Sequence, residues 1–157
     1  MKNIVKIFVL LFAFVQVMNA ATSTLPHFSF SPNRTVTLKA STSVILELNQ
    51  RFTADEVKEG TTIKFIVRAD VMAEGRVVIK TGALAIGRVT YVKAATYNDK
   101  AEVGIELLQV KSVDGQLVDL DGNLSIISGE NANESLTTYA GKSLTAQVLN
   151  DINIKAD

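Results

Sequence analysis

The chain has 157 residues, no cysteine, no tryptophan, one histidine, two prolines, and sixteen basic against sixteen acidic side chains. That length suits one domain with a real core, and a formal charge of zero lacks the basic footprint of a nucleic-acid binder. Without cysteine there are no disulfides, no thiolate metal sites, no cysteine nucleophile and no lipid anchor on an N-terminal cysteine.

In chain order the first element is residues 1–20. Lys2 and Lys6 open it, residues 7–15 are an unbroken apolar run, and Val17-Met18-Asn19-Ala20-Ala21 offers small side chains for cleavage. This is the plan of a secretory signal peptide. Nine apolar residues make about 14 Å of helix against roughly 30 Å of bilayer hydrocarbon. Cleavage is expected after Ala20, shifting by a residue if Met18 is too large for its place. The remaining 137 residues carry 14 basic and 16 acidic groups. The expected location is the periplasm or the extracellular medium, with no membrane span after signal removal.

Residues 21–33 hold both prolines and show little periodicity. They read as an extended arm, with two fates open: disorder, or docking on a sheet edge of another copy. Residues 34–157 read as one β domain. Short strands are expected at 35–39, at 43–48 with Val44, Leu46 and Leu48 inward, and at 76–80, 83–93, 101–111, 116–120 and 123–128. Two longer ones show period two: 61–71, with Ile63, Phe65, Val67, Ala69 and Val71 on one face, and 144–154, with Leu144, Ala146, Val148, Asn150, Ile152 and Ile154. Val, Ile and Thr dominate these runs, as strands prefer.

Thr53-Ala54-Asp55-Glu56 has the form of a capping box and Gly60 would close it, so at most one short helix is expected, at about 54–59. Ala73-Glu74-Gly75 is a turn. Asp114-Gly115 and Asp121-Gly122 read as type I′ hairpin turns, which together predict a three-strand meander. Gly87 and Gly104 inside strands mark bulges or corners, and the apolar face of 101–111 switches at Leu107-Leu108, which marks another. Regular strands and turns with almost no helix predict an all-β fold: a closed or partly open antiparallel β-barrel, with a β-sandwich as the alternative.

An internal echo is present. Residues 60–71 align with 141–152 through Gly60/Gly141, Ile63/Leu144, Val67/Val148, Asp70/Asp151 and Val71/Ile152. Two equivalent barrel strands account for it, and so does the common pattern of strands in general.

The order of motifs carries a resemblance. Gly60-Thr61-x-Ile63-x-Phe65-x-Val67-x-x-Asp70-Val71 leads to residues 75–82 (GRVVIKTG), then to 85–90 (AIGRVT), then to Val113-Asp114-Gly115-x-x-Val118-x-Leu120, and ends with 141–151 (GKSLTAQVLND). Over 43–154 this resembles a family of exported bacterial β-rich domains without an assigned activity. It is distantly similar to the periplasmic β-barrel domain of the type IV secretion core-complex scaffold. The resemblance implies a barrel and no catalytic residue. That scaffold carries a membrane-crossing helical hairpin late in its barrel, where this chain has the short polar connection 129–142. The related pattern has Ile-Pro-Lys-Gly where this chain has Ile79-Lys80-Thr81-Gly82.

The residues offer little coherent chemistry. His27 is the one imidazole and lies in the arm, so a positioned triad or histidine metal site is not expected. Glu102 and Glu106 alternate outward on one strand, and Asp119 and Asp121 flank a turn. A glycosidase needs two carboxyls facing each other, usually beside aromatic platforms. Asp119, Asp121 and Asn123, with Ser125 and Glu130, follow part of a calcium-loop spacing, but Leu124 stands where that loop needs glycine. Sequons occur at Asn33, Asn123 and Asn133. Lys64 and Arg68 share a polar face that reads as a solvated outer wall or an anion-binding patch. Tyr91, Tyr97 and Tyr139 read as core-edge packing or partner anchors. No glycine-rich phosphate loop is present.

No catalytic, cofactor-binding or metal residue is therefore assigned, no cofactor is expected, and the partner-binding residues are left open. The expected function is that of an exported non-enzymatic barrel that binds another envelope or secreted protein, or assembles in the envelope. A small-ligand-binding barrel is the alternative, and a carboxylate-dependent hydrolase is third.

Overall fold

Thirteen strands and no helix make up residues 34–157, the part of the chain that the computed structural model describes. They are β1 (Arg34–Leu38), β2 (Ser43–Leu48), β3 (Phe52–Thr53), β4 (Thr62–Val67), β5 (Val71–Ala73), β6 (Arg76–Ile79), β7 (Leu84–Lys93), β8 (Lys100–Lys111), β9 (Leu117–Asp121), β10 (Leu124–Ala132), β11 (Thr137–Thr138), β12 (Ser143–Val148) and β13 (Ile152–Ala156). Their residues all fall in one unit, Ser31–Asp157.

Six of them close on themselves. The order β8-β7-β4-β2-β12-β9 returns to β8, and every neighbouring pair is antiparallel. A barrel and a flattened, sandwich-like barrel both need such a ring. Period two in the sequence turns one face inward. Val44, Leu46 and Leu48 of β2, Ile63, Phe65 and Val67 of β4, and Val103, Ile105 and Leu107 of β8 are buried there. Three two-stranded ribbons complete the domain: β1–β13, β3–β11 and β5–β6. The first seals the lower end, where β2 starts and β12 ends, with Val36, Leu38, Ile154 and Ala156. The second sits at the upper end with Phe52 and Leu136.

Several expected elements are shorter than their periodicity. The run 61–71 is interrupted at 68–70, and 144–154 at 149–151. An aspartate causes each break. Asp70 accepts hydrogen bonds from the Thr81 N–H at 2.7 Å and the Thr81 Oγ1 at 2.8 Å, closing the neck of the β5–β6 hairpin. Asp151 accepts from the Ala40 N–H and from Lys39 Nζ, both at 2.8 Å. These bonds hold both carboxyls below the usual carboxylate range: at Asp70 the Thr81 N–H contributes most, and at Asp151 the Lys39 ammonium. Ala69 and Asn150, expected inward, are exposed. The two echo segments are spatial equivalents, since β4 and β12 flank β2 on opposite edges.

The helix expected at 54–59 is a turn. Half of the capping box forms, with Glu56 Oε2 accepting the Thr53 N–H at 3.0 Å. The next N–H, of Ala54, is donated across to the Leu136 carbonyl at 2.8 Å, which ties the segment to β11 before a second turn can grow.

The meander is also different. At Asp114-Gly115 only the glycine has positive φ, 86°. The Gly115 N–H reaches back to Ser112 O at 3.1 Å, which makes a five-residue loop over 112–116 instead of a type I′ turn. Asp121-Gly122 is no hairpin. β9 and β10 do not pair with each other; both lie antiparallel on the same edge of β8. Asp119 sits opposite Gln109 and Leu124 opposite Glu106, so the chain jogs by two residues and continues along β8.

The expected bulges are present. Leu107 pairs with Gly87 while Gln109 pairs with Ile86, leaving Leu108 as the extra residue. Thr90 is the extra residue at the second bulge, where Tyr91 pairs with Gly104. The Tyr91 ring lies over Gly104 in the space a Cβ would take. At Gly87 a Cβ would stand 2.9 Å from Glu106 O and 3.1 Å from Phe65 Cε2.

Two predictions follow from these contacts. Gly87→Ala and Gly104→Ala should each destabilise the domain by about 1–3 kcal/mol in urea unfolding. Adding Tyr91→Ala should recover much of the second loss and none of the first, because the Tyr91 ring makes the closest contacts at Gly104, whereas Gly87 meets the Glu106 backbone and the Ile105 and Phe65 side chains. Asp114 supplies the other. Burial raises its carboxyl, but hydrogen bonds from Ser112 Oγ, the Lys155 N–H and Gln116 outweigh that and hold it at about 2. A folded value below the unfolded one gives stability that is present above about pH 4 and lost as pH falls toward 2. Solvent screening limits it to about 1 kcal/mol. Asp114→Asn should lose that amount at pH 7, and its urea midpoint should fall less steeply than wild type between pH 4 and 2.

Candidate functional site

The ring closes through a very short ladder. β9 and β12 share two residue pairs, Gln147 with Asp121 and Val148 with Leu120. Above that point the two sides separate. Among the described residues β10 pairs with β8 alone, and residues 143–146 of β12 pair with β2 alone. A groove of about 500 Å³ occupies the split, with residues 127–130 of β10 on one side and the return 134–140 with Lys142 on the other.

Strand geometry explains what the groove offers. In an antiparallel pair every second residue turns its N–H and C=O away from the partner. Along β10 those groups face the split. Leu124-Ser125-Ile126-Ile127-Ser128-Gly129 contains no charge and no proline, although natural edge strands are usually guarded by lysine, proline or a covering segment. Leu124 and Ile126 are 52% and 53% exposed on the outer face, and Ile127 is buried on the inner one. The opposite wall carries buried Leu136 and Thr138, and among the described residues the buried Thr138 Oγ1 has no hydrogen-bond partner. Glu130, Glu134 and Lys142 lie around the groove, and Glu134 accepts from Asn131 at 2.9 Å. Tyr139 stands at the rim, 65% exposed, with the Arg51 guanidinium 5.6 Å from its ring centre.

The residues weighed for chemistry are placed elsewhere. Glu106 is ion-paired with Arg88 at 2.7 Å, and Glu102 accepts from the Tyr91 hydroxyl at 3.4 Å. Burial, then the nearby Glu102 charge, raises the Tyr91 hydroxyl above its ordinary range. Four residues apart on one strand, the two glutamates are separated by about 13 Å and do not face each other. Asp119 accepts from Gln109 Nε2 at 2.7 Å, while Asp121 receives the Asn123 side chain at 3.5 Å. Among the described residues no three Asp, Glu or His side chains gather in a way that could hold a metal ion. Arg68 donates to Ser143 Oγ at 2.9 Å, in the break after β4, so it does not share a strand with Lys64. Tyr97 is exposed in the loop before β8. His27, Asn33 and residues 1–33 as a whole lie outside the described residues.

Sequence reasoning missed the groove because it read 129–142 as a mere connection and 123–128 as the third strand of a meander. The available signal was the uncharged, proline-free run 124–129 beside a segment rich in turn residues. Comparison with known proteins found no family model and no curated protein that matches the chain.

If the groove side of β10 is bare in the isolated domain, its outward amides should exchange hydrogen at least tenfold faster than those of β4, which has neighbours on both edges. Amide exchange read by NMR checks this directly.

Proposed function

We propose that the chain is an exported, non-enzymatic β domain that binds an extended segment of a protein partner along the free edge of β10. The single observation behind this reading is the split in the ring: an uncharged strand edge facing a groove walled by the 134–142 return. Adding a strand to an exposed edge is a common mode of peptide recognition, in which backbone groups give affinity and side-chain pockets give selectivity. The export part of the reading rests on residues 1–20, with their two lysines, apolar run and small-residue cleavage point. Of the acidic residues considered for catalysis, Glu106 is ion-paired with Arg88, Glu102 accepts from Tyr91, Asp119 from Gln109 and Asp121 from Asn123. Inside the ring the buried side chains of β2, β4 and β8 are all apolar, so the ligand-binding alternative lacks the polar groups that would orient a ligand there.

The test is capture in the native host. A C-terminally tagged chain is cross-linked in the envelope beside a Leu124→Lys/Ile126→Lys variant. Both substituted side chains are exposed, so the fold should change by no more than about 0.5 kcal/mol per site. Wild type should retain one recurrent protein, recovered at least tenfold less with the variant, and the 124–130 amides should be protected in the complex. Equal recovery by both, or specific turnover by the purified domain, would overturn the reading.

A further inference from the structure

We propose that the segment laid against β10 is residues 27–31 of a second copy of this chain, so that copies assemble by exchanging an N-terminal strand. This rests on the edge-binding reading above and names its partner.

The acceptor is one strand short. Below the split, β9 bridges β8 and β12; above it, β10 and residues 143–146 of β12 each keep an unpaired edge among the described residues. The unguarded run 124–129 lies on one side. On the other, the buried Thr138 hydroxyl at the groove wall has no partner among the described residues.

The donor is legible in the arm. His27-Phe28-Ser29-Phe30-Ser31 alternates over five residues, with Phe28 and Phe30 on one side. Pro26 and Pro32 frame it, and proline ends a ladder because it has no N–H to give. Five residues match the five consecutive rungs, Leu124 through Ser128, that β10 already makes with β8. Residues 21–33 contain no acid, lysine or arginine, so nothing in them opposes Glu130 and Glu134 at the rim. Two phenylalanines on an exported arm need an apolar surface, and Ile127 and Leu136 line the groove.

Reach decides which copy donates. Arg34 pairs with Ala156 and Thr35 with Lys155, whose N–H binds Asp114 in the loop below β8. Antiparallel to β10, Ser31 would meet the rung at Leu124, which lies opposite Glu106, five residues up β8 from Lys111. At about 3.3 Å per residue that is about 17 Å. From Ser31 to Arg34 the chain spans at most about 11 Å. The arm of the same copy therefore falls short of its own split, and running it parallel to β10 lengthens the gap. A neighbour has no such limit. Each copy then offers one arm and one edge, which permits a reciprocal pair or a ring of copies.

Because the chain has no cysteine of its own, cross-linking gives a clean test on the exported chain. A Ser29→Cys chain and an Ile126→Cys chain, which the five-rung register places opposite each other, are made with different tagged mass, purified separately, mixed and oxidised. Wild type is weighed by light scattering, and the amides of 124–130 are followed by hydrogen exchange. We expect a mixed disulfide between the two chains and a wild-type mass at least twice that of one chain. A Phe28→Ser/Phe30→Ser variant should be monomeric, keep its far-UV spectrum, and exchange the 124–130 amides at least tenfold faster than wild type. A monomeric wild type overturns the proposal, as does a chain carrying both cysteines that closes only on itself. If these fail while capture in the host still protects β10, the edge binds a different protein. If β10 is protected in neither experiment, the edge-binding reading fails as well.

Discussion

Pairing of strand edges is the constraint on which this molecule depends. A β-strand left with an open edge carries a row of unsatisfied backbone groups, and six strands solve that by closing on one another. The closure is completed by only two residue pairs, between β9 and β12. Everything above that short ladder follows from its brevity. β10 runs on along β8 with its other side unpaired among the described residues, and the return 134–142 forms the opposite wall. A longer β9–β12 ladder would have sealed the domain and removed the groove.

The carboxylates serve the same architecture. Asp70, Asp151 and Asp114 each receive a backbone N–H from a segment distant in the chain. The first two mark where a ring strand gives way to an end ribbon, and the third ties the β8–β9 loop to β13. Glu106 pairs across to β7 and packs against Gly122, where β9 passes into β10. These four negative side chains are corner fittings of the sheet.

Much of the fold is legible in the sequence because period two and turn chemistry are local properties. The inward faces of β2 and β4 and the bulges at Leu108 and Thr90 follow from patterns within a dozen residues. The equivalence of β4 and β12 follows from the echo around Asp70 and Asp151. What the pattern could not show depends on distant partners. Alternation continues through Ala69 and Asn150, yet the strands stop there because Thr81 and Ala40 claim the neighbouring aspartates. The capping box at Thr53 is sound as far as it goes, but Leu136 takes the next amide. Asp121-Gly122 has hairpin chemistry, yet the edge of β8 is long enough to hold both flanking strands in line. The groove belongs to this second class, being a pairing that does not happen.

The ribbon β1–β13 sets the order in which the domain can be finished. Val36 meets Ile154, so the strand that opens the described chain is completed by one that follows more than a hundred residues later. A polypeptide emerging in residue order from a ribosome or a translocation pore must therefore wait, with Val36 and Leu38 uncovered, until the far end arrives. Contacts of such large sequence separation carry a high loop-closure cost and slow folding. For that interval the lower end of the ring exposes apolar surface, and it is there, more than at the groove, that a chaperone or a protease would find the nascent chain.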